Sequence, residues 1–410
     1  MEFGIFSNGF RPHTSASQTY EEDLNEIVLA DRLGFRDAYI SEHHGEPVYI
    51  NKVDTLPVPE LLMCKVAGLT KQIRMGAAVK LIHLAHPVDT AIQAAVTDHV
   101  VGGGRFIFGF GSGFPNPLFA NERGLSHEDR HPRLRESLDL ILKCWAAEEP
   151  FDWNGKYWQG KNIVATPRPL HAPHMPMATA TDTEAMIELA GSRGYTLLAA
   201  QLEPASFIRR KADRYARAAK AAGRSSPLKN IAVARYVYLA DSPREAMEDL
   251  RPAITYELGF QIKRGLIRIL KSNYNWQFTG DDVSFDQLAE AGMYFLGDPD
   301  SVARQLREFY EASVRHAADS DGQGLGNPRE ARTIHEAFHG TRGAAAPRPG
   351  AGPRAPRSCG LTTRIRVVQE GRLRVWVNVG AQVSPERRPG DKTLHTIIDG
   401  GARQRRLLAL

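Results

Sequence analysis

Two adjacent histidines, His43 and His44, stand directly after Glu42 at the end of a short apolar segment. Imidazoles titrate near neutral pH, so these residues suit general acid–base chemistry. Metal binding is the weaker interpretation, because adjacent side chains on an extended segment point to opposite faces. No metal site is predicted. The structural alternative, in which one ring packs and the other is solvated, stays open.

A glycine-rich segment is the second candidate for chemistry. Gly109, Gly111 and Gly113 follow or end the apolar run RFIFGFG. Residues without a Cβ let the backbone approach a flat ligand or a phosphate group closely. A glycine triplet alone is weak evidence for either ligand.

A third candidate is the polar run formed by Asp182, Thr183 and Glu184, which precedes a helical pattern. These residues can cap the helix that follows. A hydroxyl group at a helix amino terminus is also suited to holding a phosphate. Capping is the favoured interpretation, and the phosphate role is the alternative.

Alternation of strand and helix patterns predicts a parallel sheet that positions these residues. Seven strands are predicted, at residues 2–6, 37–41, 74–84, 105–111, 175–181, 196–200 and 231–240. A doubly wound sheet usually carries a glycine-rich first turn, and residues 7–18 contain none. The predicted fold is therefore an α/β (β/α)₈ TIM barrel that lacks a regular eighth strand and helix, because such a barrel needs eight strands.

The charge of the chain is unevenly distributed. The 410 residues carry a net charge of +5, yet residues 314–410 hold 17 basic and 8 acidic residues. The preceding 313 residues are net acidic, with 35 basic and 39 acidic side chains. We predict a barrel domain at 1–313 and a disordered Arg/Ala/Pro/Gly-rich tail at 314–410, since a stretch such as Ala344–Arg357 cannot form a core.

The composition excludes several classes of protein. Nucleic-acid binding is disfavoured because the barrel portion is net acidic. No run of about 18 apolar residues is present, so we expect no membrane span. The N-terminal residues lack the pattern of a signal peptide. Three cysteines far apart give neither a disulfide framework nor a zinc spacing, which favours a cytoplasmic protein.

Five segments in series resemble the bacterial luciferase-like flavin-dependent monooxygenases. They are MEFGIF at the N-terminus, SEHH (Ser41–His44), Met75–Val88, Gly102–Gly113 and Met175–Gly191. The resemblance covers residues 1–313. The Phe- and Gly-rich fourth strand and the loop at 113–130 are similar to the limonene monooxygenase-like or alkanal monooxygenase-like branch.

The resemblance implies a barrel that binds reduced flavin at its C-terminal rim. In such enzymes O₂ adds to the flavin C4a carbon, and the resulting hydroperoxide oxygenates a small apolar substrate such as a terpene or an aldehyde. The expected cofactor is FMN, with FAD possible, and NAD(P)H acts through a separate flavin reductase. A homodimer is also implied. Two alternatives remain: a flavin or deazaflavin oxidoreductase without oxygen insertion, and a non-catalytic flavin-binding protein.

The resemblance also assigns roles to individual residues near the flavin ring. The second histidine of the EHH motif, His44, is implied in the flavin–oxygen chemistry. The strand Ala77, Ala78 and Val79 is implied to lie beneath the isoalloxazine, where the family often has a non-prolyl cis peptide.

Four residues are implied near the flavin phosphate or the adjoining backbone: Gly111, Ser112, Asp182 and Thr183. Asp182 and Thr183 fall where the family holds the phosphate. Ser112 stands where the luciferases themselves place an arginine. Phosphate affinity must therefore come from elsewhere, and weak FMN binding would suit an enzyme that takes reduced flavin from a reductase.

The tail does not supply the strand and helix that the resemblance implies after Ala312. One choice of synonymous codons for His316–His339, read one base later, encodes TLLIVTGKDWATREKRARSMRRFM, an apolar strand, a turn and an amphipathic helix. We therefore hypothesise a frameshift near residue 313, with a genuine basic appendage as the alternative. Without a last strand, two sheet edges are left open. We expect the chain to fold poorly or to need a surrogate strand, for which Ile365–Val368 and Arg374–Val379 are candidates.

Overall fold

A computed structural model describes residues 2–9, 11, 15–44, 56–113, 125–126, 128–225, 227–263, 265–272, 274, 276, 282–315 and 374–378. The strands within these ranges are β1 (Glu2–Ser7), β2 (Asp37–Ile40), β3 (Arg74–Ala77), β4 (Lys80–Leu81), β5 (Phe106–Gly111), β6 (Phe151–Asn154), β7 (Gln159–Ile163), β8 (Met177–Ala180), β9 (Thr196–Ala199), β10 (Ile231–Leu239), β11 (Tyr294–Gly297) and β12 (Arg374–Asn378).

Helices connect most of these strands. They are α1 (Ala16–Arg32), α2 (Pro59–Ala67), α3 (Pro87–Val101), α4 (Arg130–Ala146), α5 (Glu184–Arg193), α6 (Ala205–Ala221), α7 (Pro243–Lys263), α8 (Leu266–Ser272), α9 (Phe285–Glu290) and α10 (Pro299–Tyr310). None of these described helices is long and apolar enough to cross a membrane.

Eight of the strands close into a parallel barrel. The order around the barrel is β1, β2, β3, β5, β8, β9, β10 and β12, and β12 returns to β1. The strands are apolar runs because both of their faces are covered, as in Phe106–Gly111, where all six residues are buried. The predicted α/β barrel is therefore confirmed, and β6 and β7 form a separate antiparallel hairpin after α4.

The place of the eighth strand is taken by a surrogate from the predicted tail, and the described residues directly after α10 contain no regular strand and helix. Arg374–Asn378 lies between β10 and β1 in parallel register, so that Val375 is opposite both Phe3 and Val233. Two open edges present rows of unpaired N–H and C=O groups, which an extended segment can satisfy from both sides. This segment is one of the two predicted surrogates. Of the predicted tail, Val314 and Arg315 are also described, and Val314 is buried in the core shared with the helices. The other surrogate, Ile365–Val368, lies outside the described residues.

The interior of the barrel is filled by a separate cluster of side chains. Tyr39, Val79, Ile107, Ala178, Leu198, Ala232 and Ala234 pack together there. Neighbouring residues along the same strands, such as Phe106, Met177 and Val233, belong instead to the core shared with the helices. This alternation follows from the two-residue period of a strand.

Gly109 is required for this packing, because a Cβ at this position would lie 1.7 Å from the carbonyl oxygen of Ala77. We expect Gly109→Ala to lower the free energy of unfolding in urea by about 3 kcal/mol, since a neighbouring strand must shift. The control is Gly259→Ala within α7, where a Cβ meets nothing within 4 Å. That control should unfold at equal or higher urea, because alanine favours the helix. Equal unfolding midpoints for the two variants would contradict the assigned packing.

A cap, defined here as the described residues from Pro243 to Gly297, stands at the C-terminal rim of the barrel. Its helices and β11 form a second core around the end of β10, which extends beyond the barrel to pair with β11. The cap meets the rim where Asn8 donates to the Glu257 carboxylate (3.3 Å) and where the rings of Tyr274 and Phe207 lie 4.8 Å apart.

Candidate functional site

The predicted catalytic histidine is held by a carboxylate. The His44 Nε2 atom lies 2.8 Å from Oε1 of Glu42, which immediately follows β2 and Ser41. Glu42 also accepts from the backbone N–H of Leu81 (3.2 Å), and the Lys80 ammonium lies 3.5 Å from its second oxygen. A buried carboxylate that is fixed on three sides can orient the imidazole ring for proton transfer.

The strand predicted to lie under a flat ligand is interrupted at that place. The peptide bond between Ala78 and Val79 is cis, and it separates β3 from β4. A Cβ on Gly111 would lie 2.5 Å from Cγ2 of Val79 and 3.2 Å from the carbonyl oxygen of Ala180. The ends of β4, β5 and β8 therefore meet in a wall built of small residues and backbone. Ala77 is buried behind this wall in the core shared with the helices.

The predicted phosphate residues occupy the start of α5. Thr183 is the N-cap residue, but its side chain makes no capping hydrogen bond; its hydroxyl oxygen lies 3.0 Å from that of Thr181. The Asp182 carboxylate accepts from the Lys211 ammonium (2.8 Å). The side-chain cap favoured from the sequence is therefore absent, and this helix end keeps the positive dipole that suits an anion.

Lys211 is buried in an ion-pair cluster on α6. Its ammonium donates to both oxygens of the buried Glu203 carboxylate at 3.0 Å as well as to Asp182. Burial tends to lower the pKa of this ammonium, but Glu203 and Asp182 together raise it, so the group stays charged. The Arg235 guanidinium holds the same loop by donating to the carbonyl oxygens of Ala200 and Glu203.

Removal of one partner from this cluster leaves an uncompensated buried charge. We expect Lys211→Met to lower the free energy of unfolding by about 3–5 kcal/mol. Lys220→Met, at an exposed position of the same helix, is the control and should change stability by less than about 0.5 kcal/mol. Chemical denaturation of both variants measures the difference. A loss below about 1 kcal/mol for Lys211→Met would show that the pair is solvated.

The structure brings most of the predicted residues to one rim. Strand β2 leads to His44, and β3 and β4 carry Ala78 and Val79. Strand β5 leads to Gly111 and Ser112, and β8 leads to Asp182. All of these strands are parallel, so their carboxyl ends share the C-terminal face, where barrel enzymes place their sites.

The family model described as luciferase-like monooxygenase matches residues 1–316. The chain belongs to the luciferase-like monooxygenase family. The barrel and the cis peptide between Ala78 and Val79 are features that the resemblance of the five sequence segments implied, and the structure has both. The chain is an enzyme of a family of flavin-dependent monooxygenases.

Relatives in this family include named monooxygenases. The chain is 26% identical over 347 residues to 3,6-diketocamphane 1,6-monooxygenase of Pseudomonas putida, covering 76% of this chain and 89% of that protein. It is 24% identical over 329 residues to limonene 1,2-monooxygenase of Rhodococcus erythropolis, covering 76% and 78%. The limonene monooxygenase-like resemblance is thereby confirmed at the level of homology.

A solved relative shares the fold. It is the oxygenating constituent of 3,6-diketocamphane monooxygenase from Pseudomonas putida, a type II Baeyer–Villiger monooxygenase described in complex with FMN. The two chains align with a TM-score of 0.65 and 24% identity, over 76% of this chain and 89% of that one.

Sequence reasoning missed the polar groups that the cap and neighbouring strands bring to the rim. Glu257, on α7, is only 4% exposed, and its carboxylate accepts from the Tyr236 hydroxyl (2.6 Å). Burial raises the pKa of this carboxyl group. Lys80 was overlooked as well, although a lysine inside an apolar strand is a usable signal, because lysine is rarely buried without a partner.

His83 follows β4 and is another buried group with an altered pKa. Burial, together with the nearby Arg130 and Arg133 guanidinium groups, lowers the pKa of His83 to about 4. The folded protein therefore keeps this imidazole neutral, whereas the unfolded chain binds a proton below about pH 6.5.

This difference predicts that the free energy of unfolding decreases as the pH is lowered from about 6.5 to 4. In that range the unfolded state binds more protons than the folded state. We expect the free energy of unfolding of the unmodified protein to fall by about 2 kcal/mol more than that of His83→Asn when the pH is lowered from 7 to 5. Urea denaturation at the two pH values measures this. Parallel losses in the two proteins would mean that His83 titrates normally.

Proposed function

We propose that this chain is the oxygenase of a two-component flavin system. It would bind reduced FMN at the rim described above and use O₂ to oxygenate a small apolar substrate. The family membership supports flavin-dependent monooxygenation. We propose three points beyond the family membership: FMN as the cofactor, a small apolar substrate, and a separate reductase.

The observation that carries this proposal is the juxtaposition of a carboxylate–histidine pair with a wall of small residues. Glu42 contacts both His44 and the N–H of Leu81, and β4 pairs with β5 so that Leu81 is opposite Gly111. The imidazole and the wall at Gly111 are thus linked through three consecutive contacts: His44 to Glu42, Glu42 to Leu81, and Leu81 to Gly111. A planar ring system can lie against such a wall with the histidine at its edge.

The residues present fit a flavin. The interior of the barrel near the wall is apolar, and the Ser41 hydroxyl oxygen beside it is buried with no hydrogen-bond partner among the described residues. A reduced flavin supplies the electrons for oxygen activation, while the protein supplies orientation and exclusion of water. In this assignment Ala78, Val79 and Gly111 support the ring, His44 holds or moves a proton at its edge, and Asp182 and Thr183 lie near the phosphate end.

We infer the separate reductase from the need for reduced flavin and from a relative, not from a contact made by this chain. The related diketocamphane enzyme is called the oxygenating constituent of its system, which implies a second protein that supplies reduced flavin. No arginine follows β5 at Ser112, so we expect FMN to exchange readily. An NAD(P)H-dependent flavin reductase would then deliver the reduced cofactor.

Titration of FMN and FAD against the protein, followed by flavin fluorescence, tests the cofactor assignment. We expect saturable binding of FMN with one flavin per chain and tighter binding than FAD. Absence of saturable binding of any flavin would contradict the proposal. Tighter binding of a deazaflavin than of FMN would instead favour the oxidoreductase alternative.

A further inference from the structure

A buried lysine on β4 lies between two buried carboxylates, one of which contacts His44. The Lys80 ammonium lies 3.0 Å from Oε1 of Glu60 and 3.5 Å from Oε2 of Glu42. Lys80 and both of its partners are less than 10% exposed. Glu60 belongs to the first turn of α2, so this ion-pair cluster joins β4, α2 and the segment that follows β2.

The stability of the barrel does not account for this cluster. Lysine is rarely buried unless it is paired, and desolvation offsets much of the attraction within a buried ion pair. Apolar residues of similar volume would therefore serve the core at least as well. The second carboxylate oxygen of Glu60, Oε2, is moreover buried without a hydrogen bond within the described part of the chain. The contact of Lys80 with Glu42 points instead to a role at His44.

The charges of the cluster do not sum to zero. Burial by itself would lower the pKa of the Lys80 ammonium, but Glu42 and Glu60 together raise it above its ordinary value, so the lysine stays charged. Two carboxylates and one ammonium leave one negative charge in a site that excludes most water. The His44 imidazole lies 2.8 Å from Oε1 of Glu42, so an imidazolium there would neutralise this remaining charge.

Other titratable and charged side chains stand around the cluster. At pH 7 His83 is neutral, because burial and neighbouring guanidinium groups lower its pKa to about 4. Cys64 is neutral as well, because burial, with a smaller contribution from Glu60, raises the pKa of its thiol. Neither residue therefore supplies a charge that competes with Lys80 for Glu42. The groups concerned, within the ranges that the structure describes, are His43, Cys64, His83 and, acting on His83, Arg130 and Arg133 of α4.

The contact with Glu42 also decides which nitrogen of His44 exchanges a proton. A carboxylate can only accept a hydrogen bond, so the Nε2 atom at 2.8 Å carries the hydrogen of the neutral ring. Nδ1 is then the nitrogen that gains and loses a proton. Glu42 keeps this orientation because its oxygens have different partners: Oε1 accepts from His44 and from the N–H of Leu81, and Oε2 lies near Lys80.

We propose that Lys80 and Glu60 are positioning residues for His44 and act through Glu42. Lys80 holds the second oxygen of Glu42, so that the first oxygen stays directed at the imidazole. Glu60 offsets the charge of the ammonium, so that an imidazolium is tolerated beside it. His44 can then hold a proton at Nδ1 and release it. The effect on catalysis rests on the proposed function, whereas the charge and the tautomer of His44 require no flavin.

Two variants with opposite effects on the charge test this inference. Lys80→Met removes the cation, and Glu60→Gln removes one anion while Lys80 stays paired with Glu42. The control is Lys65→Met, which removes an exposed cation from the same helix as Glu60. Each protein is labelled with ¹³C and ¹⁵N in histidine and titrated by NMR, and the His44 signals are identified by their loss in His44→Ala.

We expect the pH midpoint of the His44 titration to rise by about 0.5 unit or more in Lys80→Met and to fall by a similar amount in Glu60→Gln. Lys65→Met should agree with the unmodified protein within about 0.2 unit, because an exposed charge is screened. The neutral ring should carry its hydrogen at Nε2. The pH profile of kcat should move in the same two directions with an unchanged KM, which a merely structural disturbance would not produce.

Two results would overturn the inference. One is a His44 midpoint in Lys80→Met and Glu60→Gln that equals the midpoint in Lys65→Met. The other is a neutral His44 ring that carries its hydrogen at Nδ1. If Lys80→Met yields no folded protein, Glu60→Gln decides alone, and a midpoint that does not fall contradicts the role. Absence of flavin-dependent turnover in the unmodified protein contradicts the proposed function, whereas the NMR titration still decides on Lys80 and Glu60.

Discussion

Replacement of His44 by alanine should lower kcat for substrate oxygenation by roughly 10²- to 10⁴-fold while the dissociation constant for FMN stays within about threefold. The imidazole is oriented by Glu42 at 2.8 Å, and the wall that would support the flavin is made by other residues. Loss of the ring therefore removes a proton-transfer group without removing the binding surface. Steady-state kinetics with a saturating flavin reductase and flavin titration measure the two quantities.

A second histidine provides the control for this prediction. His99 lies near the carboxyl end of α3, where it is exposed and contacts the carbonyl oxygen of Arg168 (2.9 Å). This end of α3 faces away from the C-terminal rim, so His99→Ala should retain full kcat. Equal kcat values for His44→Ala and the unmodified protein would remove His44 from the reaction. A parallel loss of FMN affinity would assign it to binding rather than to chemistry.

Replacement of Trp376 by proline should destabilise the barrel by about 3 kcal/mol or more and broaden its unfolding transition. Trp376 is the central residue of β12 and stands opposite Gly4 of β1 and Ala234 of β10. Proline has no N–H to donate to the ladder and does not fit an interior strand. Because β12 joins β1 to β10, loss of its pairing opens the barrel at two edges.

The matched control is Trp376→Ile, which keeps the backbone N–H and has a high β propensity. We expect its unfolding midpoint to lie close to that of the unmodified protein, while Trp376→Pro unfolds at lower urea or fails to give soluble protein. Equal midpoints for the proline and isoleucine variants would mean that Arg374–Asn378 does not complete the barrel in solution.

The role of this segment bears on the hypothesis of a frameshift near residue 313, which remains a proposal. Under that hypothesis Arg374–Asn378 substitutes for the strand TLLIVT of the other reading frame. Sequencing of the gene across codons 305–330 tests it directly. An unambiguous read in the present frame, repeated in close relatives, would support a genuine appendage.

Local patterns predicted much of the barrel. The fourth predicted strand could be recognised from the apolar run RFIFGFG, and Phe106–Gly111 are indeed all buried. The third predicted strand, 74–84, proved to be two short strands separated at Ala78–Val79. Ala77, Ala78 and Val79 at the break are all apolar, so the hydrophobic pattern did not place the break between them.

Contacts between distant parts of the chain could not be predicted from the sequence. The cap is a separate core, and the position of Glu257 beside Asn8 depends on a contact across 249 residues. Helices α7 and α8 are separated near Gly265, which has a positive φ of 91°. Among the candidate site residues, His44 could be recognised from its motif, whereas the burial of His83 against Arg133 of α4 depends on how the helix packs beside β4.

The proposed chemistry is tested most directly by oxygen uptake in ¹⁸O₂ with the 410-residue chain, reduced FMN supplied by a flavin reductase, and limonene or a bicyclic ketone as the substrate. We predict that O₂ consumption depends on both reduced FMN and substrate beyond the background oxidation of free flavin, and that the product carries one ¹⁸O atom from O₂. Product formation without ¹⁸O, or turnover that proceeds equally without oxygen, would contradict the assignment as a monooxygenase.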